Sequence, residues 1–369
     1  MSKETNLSKP TVSSLVDELI VNKYLIDCGT VASQQMGRRP NELRVNGTEN
    51  LVAVISWRRA RLDIALITAD NKIAFRDQIP LTEEEDKVDK ITSTFFNIMK
   101  PKVGDRRIMG LCIIIPGIID AENKRILSTV IGVGYSDPVV QRFEEAFHDY
   151  PFCLLNDTAC FAYAEYVFAN ITEPKFRLYQ CLKKVLALAF LPMEKMLRGA
   201  GSNATQFGHF SVDRNGPLCA CGNHGCVERV VGENALTERA EVCGIDLTRF
   251  AGRKPLYCDI GAMAEDGDAH AKELIKDLAV DLSFAISNLI TLFNPSLVVI
   301  GGMGVNLGPF FLSNIRDEVQ IAASKSLCPT PGSSILRWGL DSELGGAARY
   351  YIDHYYDFFE QMQGGLYAD

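Results

Sequence analysis

One histidine and three cysteines fall within eighteen positions of this chain, in the pattern G-H-x9-C-x-C-G-x2-G-C. These four residues are His209, Cys219, Cys221 and Cys226. One imidazole and three thiolates can close a tetrahedral shell around Zn²⁺, and a shell without an open position is typical of a structural rather than a catalytic metal. Gly222 and Gly225 favour such a site, because a chain that folds tightly round a metal needs residues that can take positive φ. The spacing therefore predicts structural zinc.

The alternative is that these thiols are ordinary buried or reactive cysteines. The chain has eight further cysteines of that kind, namely Cys28, Cys112, Cys153, Cys160, Cys181, Cys243, Cys258 and Cys328. Four ligand-type residues so close together seldom coincide by chance, which favours the metal. An odd total of eleven cysteines beside a thiolate metal site also indicates a reducing cytoplasm rather than a disulfide framework.

The segment around the cluster resembles the signature of a known family. Residues 206–228 read QFGHFSVDRNGPLCACGNHGCVE, and the ROK family of bacterial sugar kinases and sugar-responsive repressors has the form E-x-G-H…C-x-C-G-x2-G-C-x-E. Similar matches occur at Pro116-Gly117 with Asp120, at Asn156-Asp157 and from Leu297 to Gly302. The resemblance implies an α/β chain with the actin-like ATPase (ribonuclease H-like) fold, in which two lobes hold a sugar in the cleft between them.

The resemblance also implies a sugar site. Its members would be Asn156, Asp157, Gln206, His209 and Glu228. In a kinase of the family, the aspartate takes a proton from the sugar 6-hydroxyl. Gln206 departs from the family's glutamate, and the family's S-x-P-N-L segment reads STVIG at residues 128–132, so a sugar-binding asparagine is missing. The alternative is that Asp157 and Glu228 only cap a helix or form pairs within the cleft.

Two glycine turns that bring backbone N–H groups to the nucleotide phosphates in the family are absent. The D-x-G-G-T turn is replaced by SWRRA at residues 56–60, where we expect Trp57 and two arginine side chains to fill the space of the γ-phosphate and Mg²⁺. The G-T-G-x-G-x-G turn is replaced by KKVLALA at residues 183–189, and only Gly301-Gly302 remains. We therefore predict no ATP binding and no catalytic residue, with Asp157 at a vestigial base position.

Lys183-Lys184 and Arg58-Arg59 offer an alternative, a phosphate clamp made of side chains in place of backbone. Point charges do not restore a Mg²⁺ ligand or the close backbone approach on which phosphoryl transfer relies. The sequence therefore favours lobe packing and surface charge as the role of these residues.

An amphipathic helix is predicted near the N-terminus. Ser8 can cap it and its first turn tolerates Pro10. Five apolar residues then share one face, namely Val12, Leu15, Val16, Leu19 and Ile20. The opposite face carries short hydroxyl and cationic side chains that suit contacts with DNA phosphates and base edges. The residues expected to bind DNA there are Ser8, Lys9, Thr11, Ser13 and Ser14.

A wing is predicted to follow this helix. Tyr24–Ile26 and Glu42–Val45 form its short strands, and the polar loop between them carries Arg38 and Arg39, which we also expect to bind DNA. Residues 1–46 hold six basic and five acidic side chains, whereas the whole chain carries a net charge of −8. The alternative is a plain amphipathic helix with a hairpin. A winged helix-turn-helix domain needs three helices, but the sequence before Ser8 leaves no room for the first of them. Either the chain is truncated at its start or the DNA-binding domain is incomplete.

Beyond this segment the pattern is that of an α/β protein. The predicted strands lie in residues 51–75, 108–116, 153–155, 180–191 and 297–300. A long amphipathic helix is predicted from about Ala269 to Phe293. We divide the chain into a partial winged helix-turn-helix domain at 1–46, an N-terminal lobe at 47–157 and a C-terminal lobe at 158–369, whose last helix packs back on the N-terminal lobe.

Composition excludes several classes of protein. With 369 residues, 47% of them hydrophobic, the chain can form two or three domains that each have a core. No apolar run approaches the ~18 to 20 residues of a membrane span, and polar first residues of both charge signs exclude a secretory signal. The net charge of −8 argues against a protein coated in nucleic acid over its whole surface. We expect a cytoplasmic protein without a membrane partner.

These observations favour a sugar-responsive transcriptional regulator, a repressor without kinase activity. It would bind operator DNA as a homodimer or homotetramer, and a small carbohydrate effector in the cleft would shift the spacing of its DNA-reading heads. Structural Zn²⁺ is the expected cofactor. Two alternatives remain, a divergent sugar kinase that phosphorylates a hexose with ATP, and a regulator or scaffold that has lost sugar binding.

Overall fold

The computed structural model describes residues 7–30, 41–129, 131, 133, 138–168, 177–182, 187–191, 206–295, 297–322, 332–335 and 340–356. Within them the chain forms two compact units. The first unit holds the described residues up to Ala164 and those from Glu343 onward, and the second runs from Glu165 to Ser342. The division predicted from the sequence, at residue 157, places residues 158–164 and the C-terminal segment in the C-terminal lobe. In the structure the described residues of both segments group with the first unit.

The N-terminal segment contains the helix and the two strands that the sequence predicts. Helix α1 spans Lys9–Val21, and the N–H of Thr11 donates to Ser8 Oγ at 3.3 Å, so Ser8 is the N-cap. Strands β1 (Leu25–Thr30) and β2 (Asn41–Val45) pair antiparallel. The apolar face of α1 is half-buried.

Nine further α-helices occur in the described residues. They are α2 Lys87–Thr94, α3 Val139–Ala146, α4 Asp157–Phe168, α5 Val227–Val231, α6 Glu233–Val242, α7 Tyr257–Glu265, α8 Ala269–Phe293, α9 Gly308–Ala322 and α10 Leu340–His354. Short turns of other helix types include Phe95–Met99, a π-helical turn, and Phe207–His209, a 3-10 turn. Among the described helices, none combines the length and the apolar character that a membrane crossing requires.

A five-stranded sheet forms the centre of the first unit. The strands of this unit are β3 Asn50–Trp57, β4 Arg61–Thr68, β5 Ile73–Pro80, β6 Arg107–Ile115, β7 Gly117–Asp120, β8 Arg125–Thr129 and β9 Phe152–Asn156. Strands β7 and β8 pair antiparallel as a separate ribbon. The order in the sheet is β5-β4-β3-β6-β9, and β6 runs parallel to both β3 and β9. Parallel strands end at the same edge, so the residues that follow β3, β6 and β9 meet there.

Strand alternation divides β3 between the two faces of this sheet. The side chains on one face are Leu51, Ala53, Ile55 and Trp57. They pack in a core with the aromatic rings of Phe95, Phe143 and Phe147, of which Phe95 and Phe147 are 5.4 Å apart between centroids. Burying each of these large side chains contributes about 1.5–3 kcal/mol. The other face therefore receives Ser56 and, just past the strand, Arg58.

Helix α10 covers β6 on that second face. The hydroxyl of Tyr351 donates to the carbonyl of Met109 at 3.1 Å, and the Cys112 thiol donates to the carbonyl of Ala347 at 3.5 Å. A Cβ at Gly110 would lie 2.0 Å from the Tyr351 hydroxyl oxygen, so only glycine permits this approach. The C-terminal helix is thus an integral layer of the first unit.

The second unit combines a four-stranded sheet with helices α5 to α9. Its strands are β10 Arg177–Leu182, β11 Ala187–Leu191, β12 Leu297–Gly302 and β13 Gly332–Ile335, in the order β11-β10-β12-β13. The long helix α8 has the predicted bounds, with the Asp268 carboxylate as N-cap and Asn294 in the left-handed region at its end. Its buried stripe includes Leu274, Leu278 and Leu282.

Candidate metal centre and ligand site

Four side chains of the second unit converge as the sequence spacing predicts. The ligand atoms of His209, Cys219, Cys221 and Cys226 all lie within 4.8 Å of one another. The Sγ atoms of Cys221 and Cys226 are 3.6 Å apart, and Cys219 Sγ lies 3.7 Å from His209 Nδ1. A tetrahedral zinc ion with Zn–S bonds of ~2.3 Å needs sulfur atoms about 3.8 Å apart. The cluster can therefore hold a metal ion, and its dimensions are compatible with zinc.

Two glycines make the tight backbone of this cluster possible. Gly222 has a φ of 90° and its N–H donates to the carbonyl of Cys219 at 3.0 Å. Gly225 has a φ of 59°, and a Cβ there would lie 1.9 Å from the carbonyl oxygen of Asp213. The expected need for positive φ at both positions is confirmed.

The pKa values of two thiols of the cluster are shifted in opposite directions. Burial, together with the neighbouring thiols, raises the pKa of Cys226 to about 12. A hydrogen bond from the N–H of Asn223 lowers the pKa of Cys221. Metal binding at this cluster would therefore have to displace the proton of Cys226, because the thiolate is the form that coordinates a metal.

The cluster ties two backbone elements of the second unit together. His209 ends the 3-10 turn Phe207–His209, and Cys226 is the residue before α5. Phe207, Val227 and Val231 on these elements are buried in the same core. A metal at the four ligands would therefore fix the turn against the start of α5.

Gln206 and Glu228 border the metal cluster in this unit. The carbonyl of Gln206 accepts the N–H of His209 at 3.0 Å, and Glu228 lies in the first turn of α5. Both residues are half-buried, so each combines a fixed backbone with a partly accessible side chain. Their assignment as sugar-binding residues, with that of His209, stays a prediction.

Asn156 and Asp157 lie in the first unit, where β9 ends and α4 begins. The Asn156 side chain donates to the carbonyl of Gly117 and accepts the N–H of Ala159 at 3.0 Å, so it caps α4. One carboxylate oxygen of Asp157 accepts the N–H of Thr158 at 2.8 Å. These bonds hold both side chains at the edge where the parallel strands end.

Arg58 lies directly beside Asp157. Its Nη1 is 3.6 Å from the second carboxylate oxygen of Asp157, and its Nε is 3.5 Å from Asp63 Oδ2. Its Nη2 forms an ion pair with Glu343, the side chain of which is fully buried in the first turns of α10. Burial alone would lower the pKa of Arg58, but the three carboxylates raise it, so the guanidinium stays charged.

Ser56 completes this cluster. Its hydroxyl donates to Glu343 Oε1 at 3.0 Å, and Asp63 also accepts the Gln78 side-chain amide at 2.8 Å. A small serine at the position of the family's acidic residue leaves room for the Glu343 carboxylate. We name Ser56, Arg58, Asp63, Asp157 and Glu343 the arginine cluster.

The expectation that Trp57 fills the phosphate space is wrong. Trp57 is 2% exposed and lies in the core on the opposite face of the sheet, because successive residues of β3 alternate between faces. Arg59 is exposed. Of the three side chains, only Arg58 enters the arginine cluster. Lys183 and Lys184 lie outside the described residues, as do Val130 and Gly132 of the altered S-x-P-N-L segment.

The side chains expected to bind DNA are displayed on α1 as the helical spacing predicts. Lys9, Thr11, Ser13 and Ser14 are all exposed. Ser8 is exposed as well, but its hydroxyl lies 2.7 Å from Thr11 Oγ1 and serves the helix as a cap. Arg38 and Arg39 lie outside the described residues. DNA binding by all these residues stays a prediction.

Glu343 and Asp63 are members of the arginine cluster that the sequence analysis missed. Asp63 interrupts the apolar run of β4, and Glu343 precedes the small residues of GGAA in α10. A lone carboxylate in an apolar segment is a detectable signal, since buried charges are paired in folded proteins. The identity of the partner is not detectable, because Arg58 is distant in sequence from Glu343.

The ROK family model matches residues 56–347 of this chain. A putative xylose repressor of Caldicellulosiruptor sp. (strain Rt8B.4) is 28% identical over 328 residues, which cover 86% of this chain and 81% of that protein.

Two solved structures show the same fold. The crystal structure of a ROK family transcriptional regulator, a homologue of the E. coli MLC protein, has a TM-score of 0.79 at 22% identity and covers 94% of this chain and 89% of its own. The ROK hexokinase of Thermus thermophilus has a TM-score of 0.67 at 21% identity and covers 82% of this chain and 98% of its own. Almost the whole kinase is covered by its match to this chain, but the kinase covers a smaller share of this chain than the regulator does.

Proposed function

This chain belongs to the ROK family and has its actin-like ATPase fold, and we propose that it is a sugar-responsive transcriptional repressor without kinase activity. The observation that carries the proposal is the arginine cluster. Arg58 provides a permanent cation among three carboxylates at the strand edge where the sequence has lost the family's first phosphate turn. A protein that keeps the ligand position but fills its phosphate and Mg²⁺ space with a side chain is suited to binding rather than phosphoryl transfer.

Helix α1 supports operator DNA as the partner. In its first two turns the exposed face presents one cation and three hydroxyls, and this composition suits phosphates and base edges in a major groove. One relative is named a putative xylose repressor, so we propose a small neutral sugar, with D-xylose as the first candidate. We further propose that the protein acts as a homodimer or homotetramer in the cytoplasm, and that structural zinc occupies the four-residue cluster.

The residues proposed to bind the effector are Asn156 and Asp157 in the first unit, and Gln206, His209 and Glu228 in the second unit. Carboxylate and amide oxygens accept sugar hydroxyls, and the amide N–H groups donate to them. An effector acts by binding one arrangement of the DNA-reading heads better than another, since a ligand with equal affinity for both shifts nothing. The metal holds the His209 turn against α5 and adds no chemical step.

Operator binding is tested by variants of α1. Lys9→Ala is expected to weaken binding to all duplexes alike and to reduce the slope of log K against log salt by ~1, because it removes one phosphate contact. Thr11→Ala is expected to relax sequence preference by about 1–3 kcal/mol at one base pair, because it removes a base-edge contact. Fluorescence anisotropy with duplexes enriched in vitro measures both effects.

Lys276→Ala is the matched control for these variants, since Lys276 is an exposed lysine on α8 of the second unit. It should leave both the affinity and the salt slope unchanged. Equal behaviour of Lys9→Ala and Lys276→Ala would contradict the assignment of α1 to DNA. Arg38→Ala and Arg39→Ala are expected to act as Lys9→Ala does.

We expect the protein to have no kinase activity. No ATP-dependent phosphorylation of xylose, glucose or N-acetylglucosamine should be detected, and ATP with Mg²⁺ should not raise the melting temperature. A sugar that binds should raise the melting temperature, because a sugar concentration of a hundred times the dissociation constant stabilises the folded state by about 2.7 kcal/mol. Asp157→Asn should reduce this sugar-induced shift. Turnover of any of these sugars that Asp157→Asn abolishes would overturn the proposal and identify a divergent kinase.

A further inference from the structure

Helix α10 has one end in the arginine cluster and the other beside the DNA-binding segment. Glu343 belongs to its first turns, and Tyr356 follows its last residue by two positions. Eleven helical steps lead from Glu343 to His354, and at a rise of ~1.5 Å per residue they span about 17 Å. Both Glu343 and Tyr356 belong to the first unit.

The near end of α10 is held by charge. Glu343 is 0% exposed and accepts from both Arg58 and Ser56. The same Arg58 is 3.6 Å from Asp157, so the two carboxylates share one guanidinium. A movement of the Arg58 guanidinium relative to Asp157 therefore changes the charge that Glu343 faces at the start of α10.

The far end of α10 is held by a buried tyrosine pair. The hydroxyl oxygens of Tyr356 and Tyr24 are 2.6 Å apart, and their rings meet edge to face with centroids 6.1 Å apart. Arg107 lies on β6, the strand that α10 covers, and its guanidinium is 4.7 Å from the centroid of the Tyr24 ring. Tyr24 is 5% exposed and Tyr356 8% exposed, so the contact is an internal one.

Tyr24 is in turn part of the end of α1. Its N–H donates to the carbonyl of Leu19 at 2.8 Å, and the N–H of Lys23 donates to the carbonyl of Ile20 at 3.0 Å. With Lys23 at a φ of 61°, these two bonds form a Schellman motif. The backbone carbonyl of Tyr24 also accepts the N–H of Asn46 after β2. Tyr24 thus fixes both α1 and the ribbon to the body of the first unit.

Helix α10 is suited to carry a displacement between these ends. Every residue from Ser342 to Ala348 is buried. A Cβ at Gly346 would lie 2.1 Å from the carbonyl of Cys160 on α4, so the two helices touch through backbone. A packed helix of this kind moves as a body rather than bending, because protein interiors are close-packed.

We propose that α10 couples the effector site to the DNA-binding segment, through Arg58 and Glu343 at its start and through Tyr356 and Tyr24 at its end. The inference rests on the proposed function. A sugar hydroxyl that donates to Asp157 competes with Arg58 for that carboxylate, and Arg58 then moves away from Asp157 while its ion pair with Glu343 is kept. The first turns of α10 move with Glu343, and Tyr356 carries the displacement to Tyr24 and the end of α1.

The test measures the coupling ratio, which is the DNA dissociation constant with sugar divided by that without sugar. The probes are an in vitro enriched duplex and D-xylose, with glucose and N-acetylglucosamine in parallel. Allosteric ratios of about 5 to 150 are usual for regulators. Tyr356→Phe, which removes one oxygen, should leave sugar affinity and sugar-free DNA affinity within about twofold, yet bring the ratio close to one. Tyr24→Phe should have the same effect.

A second measurement does not depend on any ligand. Hydrogen–deuterium exchange of the full chain compares wild type with Glu343→Gln, and we expect at least threefold faster exchange at Leu19–Tyr24, measured relative to α2. Arg349→Gln is the control, since Arg349 forms a partly exposed pair with Asp353 on the same helix and should leave Leu19–Tyr24 unchanged.

Two results would overturn the coupling by α10. One is a wild-type ratio in both Tyr356→Phe and Tyr24→Phe, and the other is unchanged exchange at Leu19–Tyr24 in Glu343→Gln. A wild-type protein that binds no DNA or none of the sugars refutes the proposed function instead. The exchange comparison still decides in that case whether α10 connects the arginine cluster to α1.

Discussion

Replacement of Cys226 by serine is expected to abolish metal binding and to unfold the part of the second unit around α5. Cys226 is 0% exposed, and the helix that it begins places Val227 and Val231 in the main core of this unit. Structural zinc contributes apparent binding energies of about 10–16 kcal/mol in zinc-finger peptides, so loss of one thiolate should cost several kcal/mol of folding free energy. Elemental analysis and the melting temperature measure the two effects.

Wild-type protein should contain about one zinc per chain and should lose stability when a strong chelator removes it. Cys258→Ser is the matched control, because Cys258 is an exposed thiol on α7 of the same unit. It should change neither the zinc content nor the melting temperature. A metal-free protein with undiminished stability would refute the structural role of the cluster.

The metal cluster could be predicted from the sequence because its geometry is local. All four ligands fall within one short segment, and the glycines that turn the backbone lie between them. Helix α8 was predictable for the same kind of reason, since Asp268 and Asn294 mark its ends and an apolar stripe marks its buried face. Local signals of capping and periodicity need no knowledge of distant partners.

The arginine cluster could be predicted only in part. Loss of the glycines at residues 56–60 is visible in the sequence, and the two-residue period of β3 implies that Trp57 and Arg58 face opposite ways. The expectation that both side chains fill the phosphate space disregards that period. Glu343 is 285 residues away from Arg58 in sequence, and the pair of Tyr24 with Tyr356 spans 332 residues. Such pairs depend on how α10 returns to the first unit, and no local pattern encodes that return.

Arg58→Met is the second substitution with a large expected effect. The side chain of Arg58 is only 20% exposed, and that of Asp63 is 1% exposed. Removing one partner of a buried ion pair costs about 3–5 kcal/mol, because the remaining charges lose their counterion without regaining water. We therefore expect a loss of this size at neutral pH, measured by chemical denaturation. Arg59→Met is the matched control, since Arg59 is exposed and such surface changes cost within about 0.5 kcal/mol.

A double-mutant cycle distinguishes a stranded charge from simple loss of packing. Glu343→Gln alone should also destabilise the first unit, because it leaves Arg58 with one counterion fewer. Arg58→Met combined with Glu343→Gln should cost less than the sum of the two single changes by about 1–3 kcal/mol, since neither charge is then left without the other. Strict additivity would show that Arg58 and Glu343 contribute independently. The first turns of α10 would then need another anchor, and Arg58 could not act as the cation that replaces the lost phosphate site.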